Sequence, residues 1–453
     1  MARLFGTDGV RGVANADLTP ELALALGRAG ALVLGELAEP RAPFVIGRDT
    51  RLSGAMLEAA VIAGITSTGR DVISVGVLPT PGVAFLTRVS GAAGGVMISA
   101  SHNPIEDNGI KFFGGDGFKL SDAIEDAIEA EIGAQRGSRP THEHVGTVRD
   151  ARDLQARYVD HLVEGAERLD GLCVVVDAAF GAAYAVAPQA LRMLGAEVIA
   201  IHARDEGGRI NVGCGATDLS PLRAAVAQHS AGSDRPVIGI AFDGDADRVM
   251  FVDETAAPLS GDHVMAIMAR EMIREGALPG GAVVGTVMSN IGLERALAGE
   301  AIRLLRAPVG DRYVLEAMLA GNHPLGGEQS GHIIDLRKNT TGDGPMTAIT
   351  ILSIVARRKA RLHDLAEIVH VFPQILVNVE TQRKGVLTSS SAVREAVARV
   401  ERELDGTGRI LVRASGTEPL IRIMLEGDDQ GTIERLAHEV ADVIRAESEA
   451  VGA

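Results

Sequence analysis

The chain has 453 residues, 46% of them hydrophobic, with 54 glycines, 17 prolines and a formal charge of −16, so it can build large cores joined by many tight turns. Without tryptophan and with only three tyrosines, an acidic chain offers neither the basic face nor the stacking platforms that nucleic-acid binding needs. Cys173 and Cys214 lack CxxC or metal-site spacing, which excludes a disulfide framework and fits a reducing cytoplasm.

At roughly 150 residues per domain, the length predicts about three units. The opening MARLFGTDGVRG carries charge where a signal peptide needs an apolar run, and no stretch reaches about 18 apolar residues, so neither secretion nor a membrane partner is expected. An acidic protein that binds an anion must gather its arginines and lysines locally.

In chain order, short β-branched runs predict strands at 44–46, 72–75 and 96–99, with a helix over 53–68. A second block repeats the grammar, with strands at 173–177, 197–201 and 237–242 and a helix near 188–194. A third has strands at 283–287 and 302–305 and helices at 293–297 and 313–319. These three blocks read as related α/β domains built from parallel βαβ units. The last block, with strands at 375–379, 410–412 and 421–425 and helices at 392–404 and 433–447, predicts a smaller α+β domain. Linkers are expected near 146–153, 253–258 and 369–373, giving domains 1–152, 153–255, 256–370 and 371–453.

Four loops carry chemistry. The first, Ala100-Ser101-His102-Asn103-Pro104, follows a buried strand and runs on to Lys111. A serine held in such a turn suits a nucleophile, with backbone donors ready for phosphate oxygens, or it simply caps the turn. No GxSxG elbow supports a serine hydrolase. The second, Asp243-Gly244-Asp245-Ala246-Asp247-Arg248, places three carboxylates at alternate positions after an apolar strand. Confined together they repel, whereas converging oxygens suit a hard divalent ion, with magnesium the natural inference. Arg248 stands where the sharp turn of an EF-hand needs glycine; a solvated acidic loop is the remaining alternative. The third, Gly326 to His332, surrounds Glu328, Gln329, Ser330 and His332 with glycines and offers groups that pair with sugar hydroxyls, although such stretches are often plain surface turns. The fourth, Arg413-Ala414-Ser415-Gly416-Thr417-Glu418-Pro419 with Arg422 beyond, clusters donors that suit a non-reacting phosphate better than a plain hairpin does.

Together these loops resemble the α-D-phosphohexomutase superfamily: serine loop, DGDxDR metal loop, GExSGH sugar loop and RxSGTEP phosphate loop, in that order over the whole chain. The resemblance implies three α/β domains and a more mobile C-terminal α+β domain, arranged as a heart around a central cleft. FGTDGVRG, GEQSGHII and TTGDG set the chain nearest the branch that interconverts glucosamine 6-phosphate and glucosamine 1-phosphate for UDP-N-acetylglucosamine and cell-wall precursors. By the same resemblance Ser101 is the phosphoserine, primed by a hexose or hexosamine 1,6-bisphosphate. One Mg²⁺ per chain sits on Asp243, Asp245, Asp247 and the Ser101 phosphate. Arg11 and Arg248 stabilise the transferring group, and Lys111 and His332 give acid/base help. Glu328 and Ser330 bind the sugar, and Arg413, Ser415, Gly416, Thr417 and Arg422 clamp the other phosphate. The implied partner is a small phosphosugar, and the reading leaves room for a homodimer.

Overall fold

The structure is a computed structural model that describes residues 3–6, 8–134, 139–415 and 419–450. The chain forms two compact units, Met1–Met288 with Ala301–Ile368, and Ser289–Glu300 with Val369–Ala453.

Among the described residues, the first unit contains three sheets. The first sheet is built from β1 (Val10–Val13), β2 (Phe44–Arg48), β3 (Val72–Val77), β4 (Gly94–Ile98), β5 (Asp107–Gly114) and β6 (Val148–Asp150), in the order β1-β5-β4-β2-β3-β6. The second contains β7 (Cys173–Asp177), β8 (Glu197–Ile201), β9 (Val237–Phe242), β10 (Val249–Val252) and β11 (Pro258–Leu259), ordered β11-β10-β9-β7-β8. In the third, β12 (Ala282–Thr286), β13 (Arg303–Ala307), β14 (Leu325–Gly327) and β15 (Ile333–Asp335) run β13-β12-β14-β15.

The same four-stranded core recurs in all three. A first strand pairs in parallel with the second and the third, and a fourth returns antiparallel beside the third. The end of each first strand also repeats one local device, a side-chain oxygen accepting the N–H two residues on. Asp49 accepts from Arg51 at 2.8 Å, Asp177 from Ala179 at 2.9 Å and Thr286 from Met288 at 3.1 Å. β9 (VIGIAF) is apolar throughout and β7 (CVVVD) is apolar up to its terminal Asp177, because both strands are buried on both faces.

The structure departs from the sequence expectations in particular places. The antiparallel return of β5, β10 and β15 makes each sheet mixed where parallel units were expected. Residues 146–153 are not a free linker, since β6 extends the first sheet in parallel with β3. Residues 253–258 are not a free linker either: 253–257 form the tight turn between β10 and β11, with Asp253 Oδ1 accepting from the N–H groups of Thr255 and Ala257, and Pro258 opens β11. The helix Pro20–Glu36, capped by Thr19, has no counterpart among the expectations. Its run of small and apolar residues hides the helical period, and its glycines serve packing: a Cβ on Gly27 would meet Val61 O at 2.5 Å, in the neighbouring helix Gly54–Thr66.

The second unit holds an antiparallel sheet of β16 (Gln374–Glu380), β17 (Arg409–Ala414) and β18 (Leu420–Glu426), ordered β16-β18-β17. Ile421, Ile423 and Leu425 alternate inward from β18 and pack with Val393 and Val400 of the helix Ser391–Leu404 and Leu436, Val440 and Ile444 of the helix Gln430–Ala450. This is the α+β block expected at the C-terminus.

Candidate active site

Each sheet of the first unit places one chemical loop at the same point, the crossing from its third strand to its fourth: Ser101 between β4 and β5, Asp243 to Arg248 between β9 and β10, and Glu328 to His332 between β14 and β15. Side chains from the first two loops meet directly. Ser101 is 2% exposed and left-handed at φ +52°, and its Oγ donates to Asp243 Oδ2 at 2.5 Å. Gly244 permits this approach, because a Cβ there would lie 2.5 Å from Ser101 O. Behind the serine, its N–H donates to Ser99 Oγ at 2.9 Å, and Ser99 Oγ donates to Asp49 Oδ2 at 2.5 Å.

The three carboxylates of the second loop are buried, each with an oxygen within 4.8 Å of the others. Asp245 Oδ2 accepts from Lys111 Nζ at 2.7 Å and Thr80 Oγ1 at 2.5 Å, while Asp245 Oδ1 and Asp247 Oδ1 have no hydrogen-bond partner among the described residues. Burial, followed by repulsion from Asp247 and Asp245, holds the Asp243 carboxyl well above the usual range. Orphaned acceptors among buried like charges are what a hard divalent cation satisfies, so the donor set fits Mg²⁺.

Around the triad runs a closed ring of alternating charge. Lys111 Nζ lies 2.8 Å from Asp8 and 3.8 Å from Asp247; Asp8 also pairs with Lys119, and Lys119 with Asp311. His332 closes the ring, with Nε2 3.6 Å from Asp311 and Nδ1 3.6 Å from Asp247. Burial pulls the Lys111 pKa down, but Asp245 and Asp8 more than offset it and hold the pKa above the ordinary value; Asp311 and Asp8 do the same for Lys119. Burial is likewise outweighed at His332 by Asp247, which raises its pKa. Two arginines face the same space. Arg11 reaches Asn103 Oδ1 at 3.3 Å and pairs with Asp8, and Arg248 Nε lies 4.0 Å from Asp247.

In the third loop the turn closes through Gly331 N–H to Glu328 O at 3.0 Å, and Glu328 Oε1 accepts from Gly310 N–H at 3.1 Å. Ser330 and Gln329 are half-buried on that turn. A Cβ on Gly342 would sit 2.5 Å from the His332 ring, so the imidazole rests directly on that backbone.

In the second unit Arg413 and Arg422 are cross-strand partners on β17 and β18, and burial together with Arg422 lowers the pKa of Arg413. Like charges placed opposite are destabilising unless an anion lies between them, the condition a phosphate meets. Ser415, 4% exposed, follows at the end of β17; Gly416 and Thr417 lie outside the described residues.

The structure thus brings Ser101, Asp243, Asp245, Asp247, Lys111, His332, Arg11 and Arg248 into one cluster and gathers Arg413, Ser415 and Arg422 in another. Sequence reasoning missed Asp8, Asp49, Arg51, Thr80, Lys119 and Asp311, and also Asn211, whose Nδ2 donates to Ser101 O at 2.9 Å. For Asp49 and Arg51 a signal existed, the charged run Arg48-Asp49-Thr50-Arg51 at the end of a buried strand.

Comparison with known proteins agrees with this arrangement. Phosphoglucomutase/phosphomannomutase profiles match in order: alpha/beta/alpha domain I over residues 2–138, domain II over 156–256, domain III over 260–372 and the C-terminal domain over 376–443. A phosphoglucosamine mutase of Symbiobacterium thermophilum is 54% identical over 450 residues, 99% of this chain and 100% of its own. The phosphoglucosamine mutase of Mycolicibacterium gilvum is 51% identical over 450 residues, again 99% and 100%. Among solved structures, a phosphoglucomutase/phosphomannomutase family protein of Burkholderia thailandensis superposes with a TM-score of 0.82 at 24% identity, covering 98% of this chain and 97% of that one. Aspergillus fumigatus N-acetylphosphoglucosamine mutase, solved in complex with glucose 1,6-bisphosphate, gives 0.64 at 16% identity, covering 99% and 96%. With four family domains matched in order and near-complete relatives at half identity, the chain belongs to the phosphoglucomutase/phosphomannomutase family, the α-D-phosphohexomutases, on its phosphoglucosamine mutase branch.

Proposed function

We propose that the chain interconverts glucosamine 6-phosphate and glucosamine 1-phosphate, with Ser101 as the phosphoryl carrier. The single observation that carries this reading is the buried Ser101 hydroxyl against Asp243, within a cluster that also holds Lys111, Arg11 and Arg248. The phosphoserine P–O bond breaks as a free sugar hydroxyl forms its own bond to phosphorus, giving glucosamine 1,6-bisphosphate. The sugar turns over, and its other phosphate returns to Ser101. A hexose or hexosamine 1,6-bisphosphate supplies the first charge.

Phosphoryl transfer depends on positioning and on neutralising the equatorial oxygens. Arg11 and Arg248 supply cationic donors at the mouth of the cluster. Lys111, kept as an ammonium by Asp8 and Asp245, adds fixed positive charge there. His332, between Asp247 and Asp311, is placed to hold the proton exchanged with the sugar hydroxyl. Asp243, Asp245 and Asp247 would hold one Mg²⁺, which when bound neutralises phosphoryl charge. Glu328 and Ser330 would bind sugar hydroxyls, and Arg413, Ser415, Gly416, Thr417 and Arg422 the idle phosphate. We assign these parts to domains 1–152, 153–255, 256–370 and 371–453. Two buried free thiols, Cys173 and Cys214, suit a reducing cytoplasm.

The test is Ser101→Ala, assayed with glucosamine, glucose and mannose phosphates alongside intact mass. Isomerisation should be lost, the fold kept and the added phosphate absent. Turnover by the variant would overturn the assignment.

A further inference from the structure

Arg51 is 1% exposed, yet it carries a guanidinium into the floor of the serine loop. It donates to four backbone carbonyls of one loop: Ser101 O at 3.0 Å, Asn103 O at 2.8 Å, Pro104 O, and Asp107 O at 3.0 Å. Its charge is balanced by Asp49, Nε to Oδ2 at 3.1 Å, and the same carboxylate oxygen takes Ser99 Oγ, which holds the Ser101 N–H. Asn211 adds a second donor to Ser101 O at 2.9 Å. We propose that Arg51, braced by Asp49 and Ser99, is the positioning residue that holds the phosphoryl-carrying serine in its left-handed conformation and turns the loop's N–H groups toward the phosphoryl group.

The physical case has two parts. A non-glycine residue at φ +52° costs about 1–3 kcal/mol and persists only where its surroundings over-determine it. Bonds from Arg51 and Asn211 to Ser101 O, and from Ser101 N–H to Ser99, fix both peptide groups that flank the strained residue. In addition, all peptides here are trans, so C=O and the following N–H point opposite ways. A cation that draws in the carbonyls of Ser101 and Pro104 therefore turns the N–H groups of His102 and Ile105 outward. An arginine buried on one side of the loop thereby makes an anion-binding edge on the other. The planar fork reaches several acceptors at once, which lysine does not.

This inference rests on Ser101 being the phosphoryl carrier, and the experiment separates the two. Full-length Arg51→Lys keeps the charge beside Asp49 but loses the fork; Ser99→Ala leaves Arg51 in place and releases the Ser101 N–H. Misplacement of a reacting group by about 1 Å costs on the order of 100-fold, so kcat should fall about 100-fold in Arg51→Lys and about 10-fold in Ser99→Ala. KM for glucosamine phosphate should stay within about threefold, and calorimetric Mg²⁺ affinity, measured on enzyme stripped of its Ser101 phosphate, should be unchanged, because the sugar groups and the three carboxylates are untouched. Loading of phosphoserine from glucose 1,6-bisphosphate, followed by intact mass, should slow by the same factors. Unchanged kcat in the folded variants, or a parallel loss of Mg²⁺ affinity, overturns the positioning role. If Arg51→Lys does not fold, Ser99→Ala decides alone. Peptide mapping of the wild type that places phosphate elsewhere than Ser101 overturns the underlying function itself.

Discussion

Asp245→Asn probes the metal loop where its energetics can be worked from distances. The three carboxylates lie within 4.8 Å of one another, and at an effective dielectric of about 20 each pair repels by at least about 3.5 kcal/mol. Removing the Asp245 charge relieves two such pairs, about 7 kcal/mol. It also removes the attraction to Lys111 at 2.7 Å, about 6 kcal/mol on the same scale. The terms nearly cancel, and the lost attraction to Arg11 and Arg248 tips the balance, so the metal-free variant should unfold at or somewhat below the wild-type denaturant midpoint. Mg²⁺ separates the two proteins. The amide oxygen of asparagine can keep the bonds from Lys111 and Thr80, which turns its NH₂ toward the position of the orphaned Oδ1 and replaces an acceptor with a donor. Loss of an outer-shell partner costs 10- to 100-fold in metal affinity, so loss of a ligand should cost at least about 100-fold. At a concentration 100 times the wild-type Kd, Mg²⁺ would stabilise the wild type by about 2.7 kcal/mol and the variant by only about 0.4 kcal/mol. Calorimetric titration and metal-dependent unfolding both read this difference. Undiminished Mg²⁺ stabilisation of Asp245→Asn would refute the reasoning.

Arg422→Ala should raise KM for the sugar phosphate by about tenfold or more while kcat changes little, since one arm of a two-arginine clamp is worth about 1.5–3 kcal/mol of charged hydrogen bonding; unaltered saturation curves would remove the clamp. Gly342→Ala drives a methyl into the His332 ring, and steady-state assays should show a kcat loss of about 10-fold with a stability cost of about 1–3 kcal/mol. Full activity at reduced stability would mean that the position of His332 is immaterial. His102 carries a pKa lowered to about 4 by burial first and then by Arg248 and Arg11, so the unfolded chain takes up its proton before the folded one does. Its contribution to stability is therefore complete above about pH 6.5 and declines as the pH falls toward about 4. Denaturant midpoints measured against pH should show a shallower acid slope in His102→Gln, and identical slopes would rule out this source.

The four loops were legible because each combines residue types that have no place in a core, such as the aspartates after VIGIAF, with a strand end. What the sequence hides is whatever acts through the backbone or across great separation. Arg51 works on four carbonyls, and a carbonyl leaves no mark in a sequence. The charge ring joins Lys111, Asp247 and His332 to Asp8, Lys119 and Asp311, and those last three are unremarkable where they stand. The helix Pro20–Glu36 escaped because glycines that serve close packing blur the periodicity by which helices are recognised. The return strands β5, β10 and β15 escaped because the βαβ pattern predicts a parallel neighbour, and only tertiary pairing reveals the reversal.

The recurrence of one strand order in three sheets has a consequence for how such an enzyme can change. A scaffold copied three times offers three equivalent crossings, and here one carries Ser101, one the acidic triad and one the segment Glu328 to His332. Each crossing sits on a framework maintained by its own hydrogen-bond ladder, so its contents can be rewritten while the other two stand. Diversification of substrate choice would then concentrate in the β14–β15 turn, with the hydroxyl and acidic crossings left as a common engine. A specificity library confined to 328–332 should therefore yield folded proteins far more often than one spread across the strands.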